Sequence, residues 1–173
     1  MLARMLSGIM GVLLSCLAVA QGETLNVGDE FPDWSLVDHN GASVTSVSYT
    51  GRSYVLWFYT EAMAPDATAE GRGFRDGYRQ FESAGIAVLG VSFDIPQTNG
   101  VFASNEGFPF PLLSDTNREL AVRVGAAEAD DQPRPEQITY MIGADGRVIR
   151  VYTNIQPLRH AQEVLLDAGI VAP

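Results

Sequence analysis

One stretch of the chain, Ser53 to Phe81, constrains the fold more than any other. It opens with a continuous apolar run, Tyr54 to Tyr59, which predicts a strand buried on both faces of a sheet. A short polar turn follows, and Pro65 then precedes aromatic residues at helical spacing: Phe74, Tyr78 and Phe81. A strand, a tight turn and a helix N-terminus in succession favour an α/β fold with an anion or reactive group at the turn. This turn, however, contains no Cys, His or Lys.

The first 20 residues are predicted to be a secretory signal peptide, which leaves residues 21–173 as one domain. Arg4 provides the positive start, an apolar segment runs from Met5 to Leu17, and Ala18–Ala20 is a small-x-small cleavage site. The expected location is therefore exported, either periplasmic or secreted. Two alternatives stay open, namely an uncleaved membrane anchor and lipid attachment at Cys16.

Cys16 is the only cysteine of the chain, so cleavage after Ala20 would leave a mature protein without thiol or disulfide chemistry. The formal net charge is −10, and removal of Arg4 makes it −11. All eleven basic residues are Arg, and this acidic balance argues against binding to nucleic acid or to a membrane surface. No cofactor or metal-binding motif is found, so we expect neither a cofactor nor a metal.

Regular structure is predicted on both sides of the central stretch. Asn40-Gly41 predicts a tight hairpin turn near the N-terminus, with His39 exposed at its tip. Further strands are expected at 86–93, 138–142 and 147–152. Helices are expected at 96–105, from Asp115 or Thr116 to 124, and from Pro157 to Gly169. We expect an apolar loop from 108 to 113 and an exposed acidic loop from 126 to 136.

The last helix is predicted to bury one face and expose the other. Its buried residues are expected to be Leu158, Ala161, Leu165 and Ala168, and His160 is expected to be exposed. The order of elements predicts an α/β sandwich with a central mixed sheet flanked by helices and an N-terminal hairpin.

Several local motifs resemble peroxiredoxins of the alkyl hydroperoxide reductase and thiol-specific antioxidant superfamily. The similarity covers about residues 26–168 and follows the family order. The matching segments are Val27–Asp33, Gly51, Leu56–Tyr59, Thr68-x-Glu70, Phe74–Asp76, Val88–Ser92 with Asp94, Phe108–Asp115, Thr139-Tyr140 and Asp145–Arg147. The resemblance implies a thioredoxin-like fold of the peroxiredoxin type and a thiol peroxidase ancestry.

The catalytic pattern of the family is replaced at four positions. The motif Pro-x-x-x-Thr/Ser-x-x-Cys falls on Thr60, Ala64 and Ala67, with Ala67 at the peroxidatic cysteine. The pocket Arg of the family falls on Gln137, and the nearby Arg134 is three residues out of place. Peroxide reduction needs a thiolate, which the family activates with a helix N-terminus and an Arg. The resemblance therefore implies a vestigial pocket without catalytic residues.

The first functional hypothesis is a catalytically inactive pseudo-peroxidase that binds a protein partner or self-associates as a dimer. The second is an oxidoreductase or peroxidase that acts through a non-cysteine group such as Met63, or another enzyme that uses the carboxylates Glu61, Asp66 and Glu70. The third is a structural partner at the cell envelope, which reaches the membrane only if the N-terminus is retained or lipidated at Cys16.

Overall fold

The computed structural model describes residues 22–170. The predicted signal peptide and its alternatives, including Cys16, lie outside the described residues. A seven-stranded sheet forms the centre of the fold, in the order β2-β1-β5-β4-β3-β6-β7. Its strands are β1 (Ser35–Asp38), β2 (Ser43–Thr45), β3 (Tyr54–Phe58), β4 (Ala87–Ser92), β5 (Leu112–Ser114), β6 (Ile138–Ile142) and β7 (Val148–Tyr152).

The sheet is mixed, as predicted. Strand β3 pairs in parallel with β4 and antiparallel with β6, and β4 pairs in parallel with β5. All five residues of β3 are buried, as are all residues of β4 and β6, which explains why these strands are predominantly apolar. Parallel strands have their carboxyl ends at one edge of the sheet, so the turns after β3 and β4 lie side by side.

Five α-helices cover the sheet: α1 (Pro65–Asp76), α2 (Tyr78–Ser83), α3 (Pro96–Glu106), α4 (Glu119–Arg123) and α5 (His160–Asp167). The predicted helix after β3 is two helices, because its regular hydrogen bonding is interrupted at Gly77. One core cluster packs between the sheet and α1, α2, α3 and α5, and a second packs on the opposite face around α4. The fold is thus a thioredoxin-like sandwich.

The N-terminal hairpin is confirmed, but the environment of its histidine was predicted wrongly. Strands β1 and β2 pair around a turn in which Gly41 has a φ of 84°. His39 is half-buried rather than free in solvent, and its Nδ1 accepts a hydrogen bond from the backbone N–H of Leu112 at 3.0 Å. It therefore ties the hairpin to β5.

Two segments predicted as loops are more ordered or more buried than expected. The apolar segment around Leu112 contains the short strand β5, which lies between β1 and β4. The acidic loop is exposed over most of its length, but Ala126, Ala127 and Pro135 are buried.

The C-terminal helix differs most from its prediction. It begins at His160 rather than Pro157, and Leu158, predicted to be buried, lies in the preceding turn and is 89 % exposed. His160, predicted to be exposed, is fully buried. The burial of Ala161 and Leu165 is confirmed, and Ala168 is partly buried against the core.

Candidate functional site at the start of helix α1

A short connection joins the end of β3 to the first helical turn of α1. Ala64 is the N-cap residue, with an extended conformation and no side chain that caps the helix, and Pro65 follows at the first helical position. Ala67 lies in the first helical turn and is fully buried. The methyl group of Ala67 therefore stands where free helical N–H groups would favour an anion.

Polar contacts between the ends of β3 and β4 fix the conformation of this turn. The backbone N–H of Ala62 donates to Oδ2 of Asp94 at 2.8 Å, and the hydroxyl of Ser92 donates to the same oxygen at 2.9 Å. The hydroxyl of Tyr59 donates to Oδ1 of Asn99 at 2.6 Å, inside the core. The turn is thus held by the same strand ends that the topology brings together.

Met63 has the least common backbone conformation of the turn, with a φ of 65°. Such a left-handed conformation in a residue other than glycine is costly unless its surroundings impose it. Its side chain is half-exposed. The thioether is accessible to solvent, as the oxidation hypothesis requires.

The four replaced positions of the predicted pocket do not share one open cavity. Thr60 lies at the mouth of the turn and is partly exposed, Ala64 packs against the core, and Ala67 is buried. The side chain of Gln137 contacts α1: its amide donates a hydrogen bond to Oε2 of Glu70 at 3.3 Å. Glu70 follows Ala67 by three residues and shares its helix face.

An open cleft of about 320 Å³ lies outside the buried position, at the mouth of the turn. Of the four replaced positions only Thr60 lines it; its other lining residues are Glu61, Phe93, Asp94, Arg118, Pro133 and Arg134.

Charged side chains dominate the cleft. Arg134 forms an ion pair with Glu61 at 2.7 Å, and the guanidinium of Arg118 stacks over the ring of Phe93 at 5.1 Å. Arg134, which the family motif leaves unassigned, is thus a residue of this cleft. The cleft offers hydrogen bonds and charges to a ligand but no thiol among its lining residues.

A buried polar cluster behind Ala67 was not predicted. Glu70 and His160 are both fully buried, and Oε1 of Glu70 lies 3.8 Å from Nε2 of His160. Burial raises the pKa of Glu70 to about 8. The polar N–H groups of Trp57 and Gln137 lower this pKa in part, and the negative charge of Asp66 raises it further. Burial also lowers the pKa of His160 to about 4.

The sequence contained a partial signal for this cluster. Glu70 lies three residues after Ala67 and four before Phe74, so it falls on the apolar face of α1. Carboxylates are also common near helix N-termini, where they interact favourably with the helix dipole, so this position alone does not mark a buried cluster. No local pattern marks His160.

Thr139, His160 and Glu163 superficially resemble a hydrolase triad. The hydroxyl of Thr139 lies 2.8 Å from Nε2 of His160, and Nδ1 of the same ring lies 3.8 Å from Glu163. Thr139 and His160 are both fully buried, so a substrate cannot reach the hydroxyl. The arrangement joins β6 to α5 and provides no accessible nucleophile.

Residues 22–170 contain neither a metal-binding cluster nor a membrane-spanning helix. No group of three or more His, Cys, Asp or Glu side chains in this range is arranged to hold a metal ion. In the same range, no helix combines the length and apolar character needed to cross a bilayer.

Solved structures with the same architecture are peroxiredoxins. A Cys-to-Ser mutant of PrxQ from Xylella fastidiosa gives a TM-score of 0.79 at 28 % identity, with 86 % of this chain and 98 % of that chain covered. Peroxidoxin BcpB from Mycobacterium tuberculosis gives a TM-score of 0.77 at 26 % identity, with 85 % and 98 % covered. The thioredoxin-like fold of the peroxiredoxin type is therefore confirmed.

Sequence relatives agree with this result. Peroxiredoxin Bcp of Escherichia coli K12 is 32 % identical over 146 residues, which cover 82 % of this chain and 94 % of the relative. The chloroplastic Peroxiredoxin Q of Populus jackii is 32 % identical over 142 residues, which cover 82 % of this chain and 67 % of the relative. The model of the AhpC/TSA family matches residues 27–151. The protein that carries Ala67 at the start of α1 therefore belongs to the AhpC/TSA family.

Proposed function

We propose that this protein is an exported, catalytically inactive member of the peroxiredoxin family that acts as a binding or scaffold module. One observation carries the proposal: Ala67, which the family motif aligns with the peroxidatic cysteine, is a buried methyl group at the start of α1. A methyl group has no lone pair with which to attack an O–O bond.

The surroundings of Ala67 support the same conclusion. Gln137 places a neutral amide where the family has a cation, and it donates to Glu70 instead of facing an open pocket. Ala64 has no hydroxyl to orient a peroxide. Each substitution alone is compatible with drift, but together they remove the nucleophile and the groups that activate it and orient the substrate.

The mouth cleft is the surface that we assign to binding. It pairs Arg134 with Glu61 and holds Arg118 against Phe93, so it presents both signs of charge beside apolar carbon. Arg and aromatic side chains are enriched in protein–protein interfaces, whose rims are polar. We propose a protein partner or a second copy of the chain there, and neither nucleic acid nor a cofactor.

The experiment is a peroxide-consumption assay on the mature chain. Hydrogen peroxide and an alkyl hydroperoxide are each supplied, with dithiothreitol or thioredoxin as reductant. We expect the initial rate to equal that of buffer at every protein concentration. A rate that rises in proportion to protein concentration would overturn the proposal.

Met63 carries the second candidate function, that of an oxidoreductase or peroxidase without cysteine. Its exposed thioether can accept one oxygen atom from a hydroperoxide, which leaves methionine sulfoxide and an alcohol or water. Such a reaction stops after one equivalent unless a reductase restores the thioether. The variant Met63→Leu separates the candidates, because it abolishes single-equivalent consumption only if Met63 is the acceptor.

Export rests on the apolar segment from Met5 to Leu17 and the cleavage site that follows it. Intact-mass measurement of the protein from its native host is expected to show a chain that begins at Gln21. A mass that includes a lipid on Cys16 would instead place the protein on a membrane surface.

A further inference from the structure

We propose that Glu70 and His160 form a buried, proton-controlled latch between α1 and α5, which is closed while Glu70 is protonated and weakens when Glu70 ionises. The inference concerns the fold behind the turn and is independent of the proposed binding function.

The latch lies between α1 and α5, which pack directly against each other. A Cβ atom on Gly73 would lie 3.1 Å from Cβ of Ala161, and one on Gly77 would lie 3.1 Å from Cδ1 of Leu165. Small residues on α1 thus bring its backbone next to α5. The carboxyl group of Glu70 and the imidazole of His160 are enclosed in the same interface and fully buried.

Hydrogen bonds satisfy the two side chains only in part. Gln137 donates to Oε2 of Glu70 at 3.3 Å, and Thr139 shares a hydrogen bond of 2.8 Å with Nε2 of His160. Oε1 of Glu70 and Nδ1 of His160 have no hydrogen-bond partner among the described residues. The indole N–H of Trp57 faces the same carboxyl group and lowers its pKa, but the contact falls outside hydrogen-bond geometry.

The charges around Glu70 favour its neutral form. On its own helix, Asp66 adds negative charge, and on α5 the carboxylate of Glu163 lies 3.8 Å from Nδ1 of His160. On β7, Tyr152 packs against the His160 ring and its hydroxyl bonds to Asp167, which pairs with Arg150 at 3.7 Å. The groups that contact Glu70 from β3 and from the segment just before β6 are the neutral Trp57 and Gln137.

Ionisation therefore leaves a buried carboxylate that only His160 can neutralise, and His160 is itself held neutral by burial. When the interface opens, water hydrates the carboxylate and the pKa of Glu70 returns to its ordinary value. Proton loss from Glu70 thus shifts the equilibrium towards separation of α5 from α1. Since Ala67 lies one turn before Glu70, this equilibrium also loosens the start of α1.

The test follows hydrogen exchange of the α5 backbone amides in the mature wild-type protein between pH 7 and pH 9. After correction for the intrinsic pH dependence of exchange, we expect the opening equilibrium to increase about tenfold, as a carboxyl group with a pKa of about 8 requires. Carbon-13 NMR of the Glu70 carboxyl group is expected to report the same transition directly.

Two variants decide the result. Glu70→Gln keeps the hydrogen-bonding shape without the titration, and we expect its opening equilibrium to stay constant between pH 7 and pH 9. Glu163→Gln removes the exposed carboxylate on the other side of His160 and should retain the wild-type increase. The proposal is overturned if the wild-type opening equilibrium does not change, or if the increase persists in Glu70→Gln. If that variant does not fold, a wild-type Glu70 carboxyl signal that titrates near pH 4.5 overturns it.

Discussion

The side-chain amide of Gln137, the residue just before β6, donates a hydrogen bond to Glu70 on α1 at a distance of 3.3 Å. This contact links one position of the vestigial pocket to the buried carboxyl group behind Ala67. It joins a neutral donor to a buried carboxyl group, so it stabilises the carboxyl group without supplying a positive charge.

A cation in place of that amide is expected to reverse the behaviour of Glu70. In Gln137→Arg the guanidinium favours the ionised carboxylate and lowers the pKa of Glu70. Urea unfolding at pH 7 and pH 9 should then show little loss of stability on the alkaline side. Gln137→Leu, which removes the donor, serves as the control and should retain the loss; equal pH dependence in the two variants would contradict the assignment.

The stability of the wild-type protein is expected to be greatest at mildly acidic pH. The folded-state pKa of Glu70, about 8, lies above its ordinary value of 4.5, so the stabilisation by the protonated form is lost as pH rises from 4.5 to 8. The pKa of His160, about 4, lies below its ordinary 6.5, so its contribution is lost as pH falls from 6.5 to 4. The two slopes oppose each other between pH 4.5 and 6.5.

The net result is a plateau in that range and a decline above it. Between pH 7 and pH 9 we expect a loss of about 1.4 kcal/mol from Glu70. Urea unfolding of wild type and Glu70→Gln across this range measures the difference. Identical pH profiles would show that Glu70 titrates normally.

The hydrogen bond between Tyr59 and Asn99 should contribute strongly to stability. The amide of Asn99 also donates to Oγ of Ser114 at 3.2 Å, and the residue is fully buried. Asn99→Ala leaves these partners unsatisfied and is expected to cost about 3 kcal/mol, whereas Tyr59→Phe should cost about 1 kcal/mol. Urea unfolding measures both, with Thr98→Ala as a control; a loss below 1 kcal/mol for Asn99→Ala would refute this role.

Gly71 is required by close packing rather than by backbone conformation. A Cβ atom at this position would overlap the ring of Phe108, which packs against α1 from the loop before β5. Gly71→Ala is expected to destabilise the protein by about 1–3 kcal/mol, despite the better helix propensity of Ala. Adding Phe108→Leu should recover part of the loss in thermal unfolding, and an additive double variant would contradict the overlap.

Sequence periodicity predicted strands β3, β4 and β6 well, because all three are covered on both faces. Their residues are predominantly apolar, and no helical period competes with that interpretation. Strand β5 was not predicted, because it has only three residues and follows Pro111. It pairs with β4 and β1, and the pairing with β1 joins residues far apart in the sequence, which local periodicity does not report.

The candidate site was predicted in its location but not in its interior. The family motif led to the turn at Ala67, and that residue lies in the first turn of α1. The partnership of Glu70 with His160 joins residues 90 positions apart, and it arises only when α5 packs on α1. His160 was predicted to be exposed because it lies beside the predicted buried face of the helix rather than on it.

The most direct test of the central claim is a stepwise restoration of the family motif. Hydroperoxide consumption with dithiothreitol is measured for wild type, for Ala67→Cys and for the combination Thr60→Pro, Ala64→Thr, Ala67→Cys, Gln137→Arg. We predict no consumption above buffer by wild type, a slow rate for the single variant, and a rate at least about tenfold higher for the combination, since positioned donors and cations supply much of such catalysis. Turnover by wild type, or equal rates for the single variant and the combination, would contradict the account.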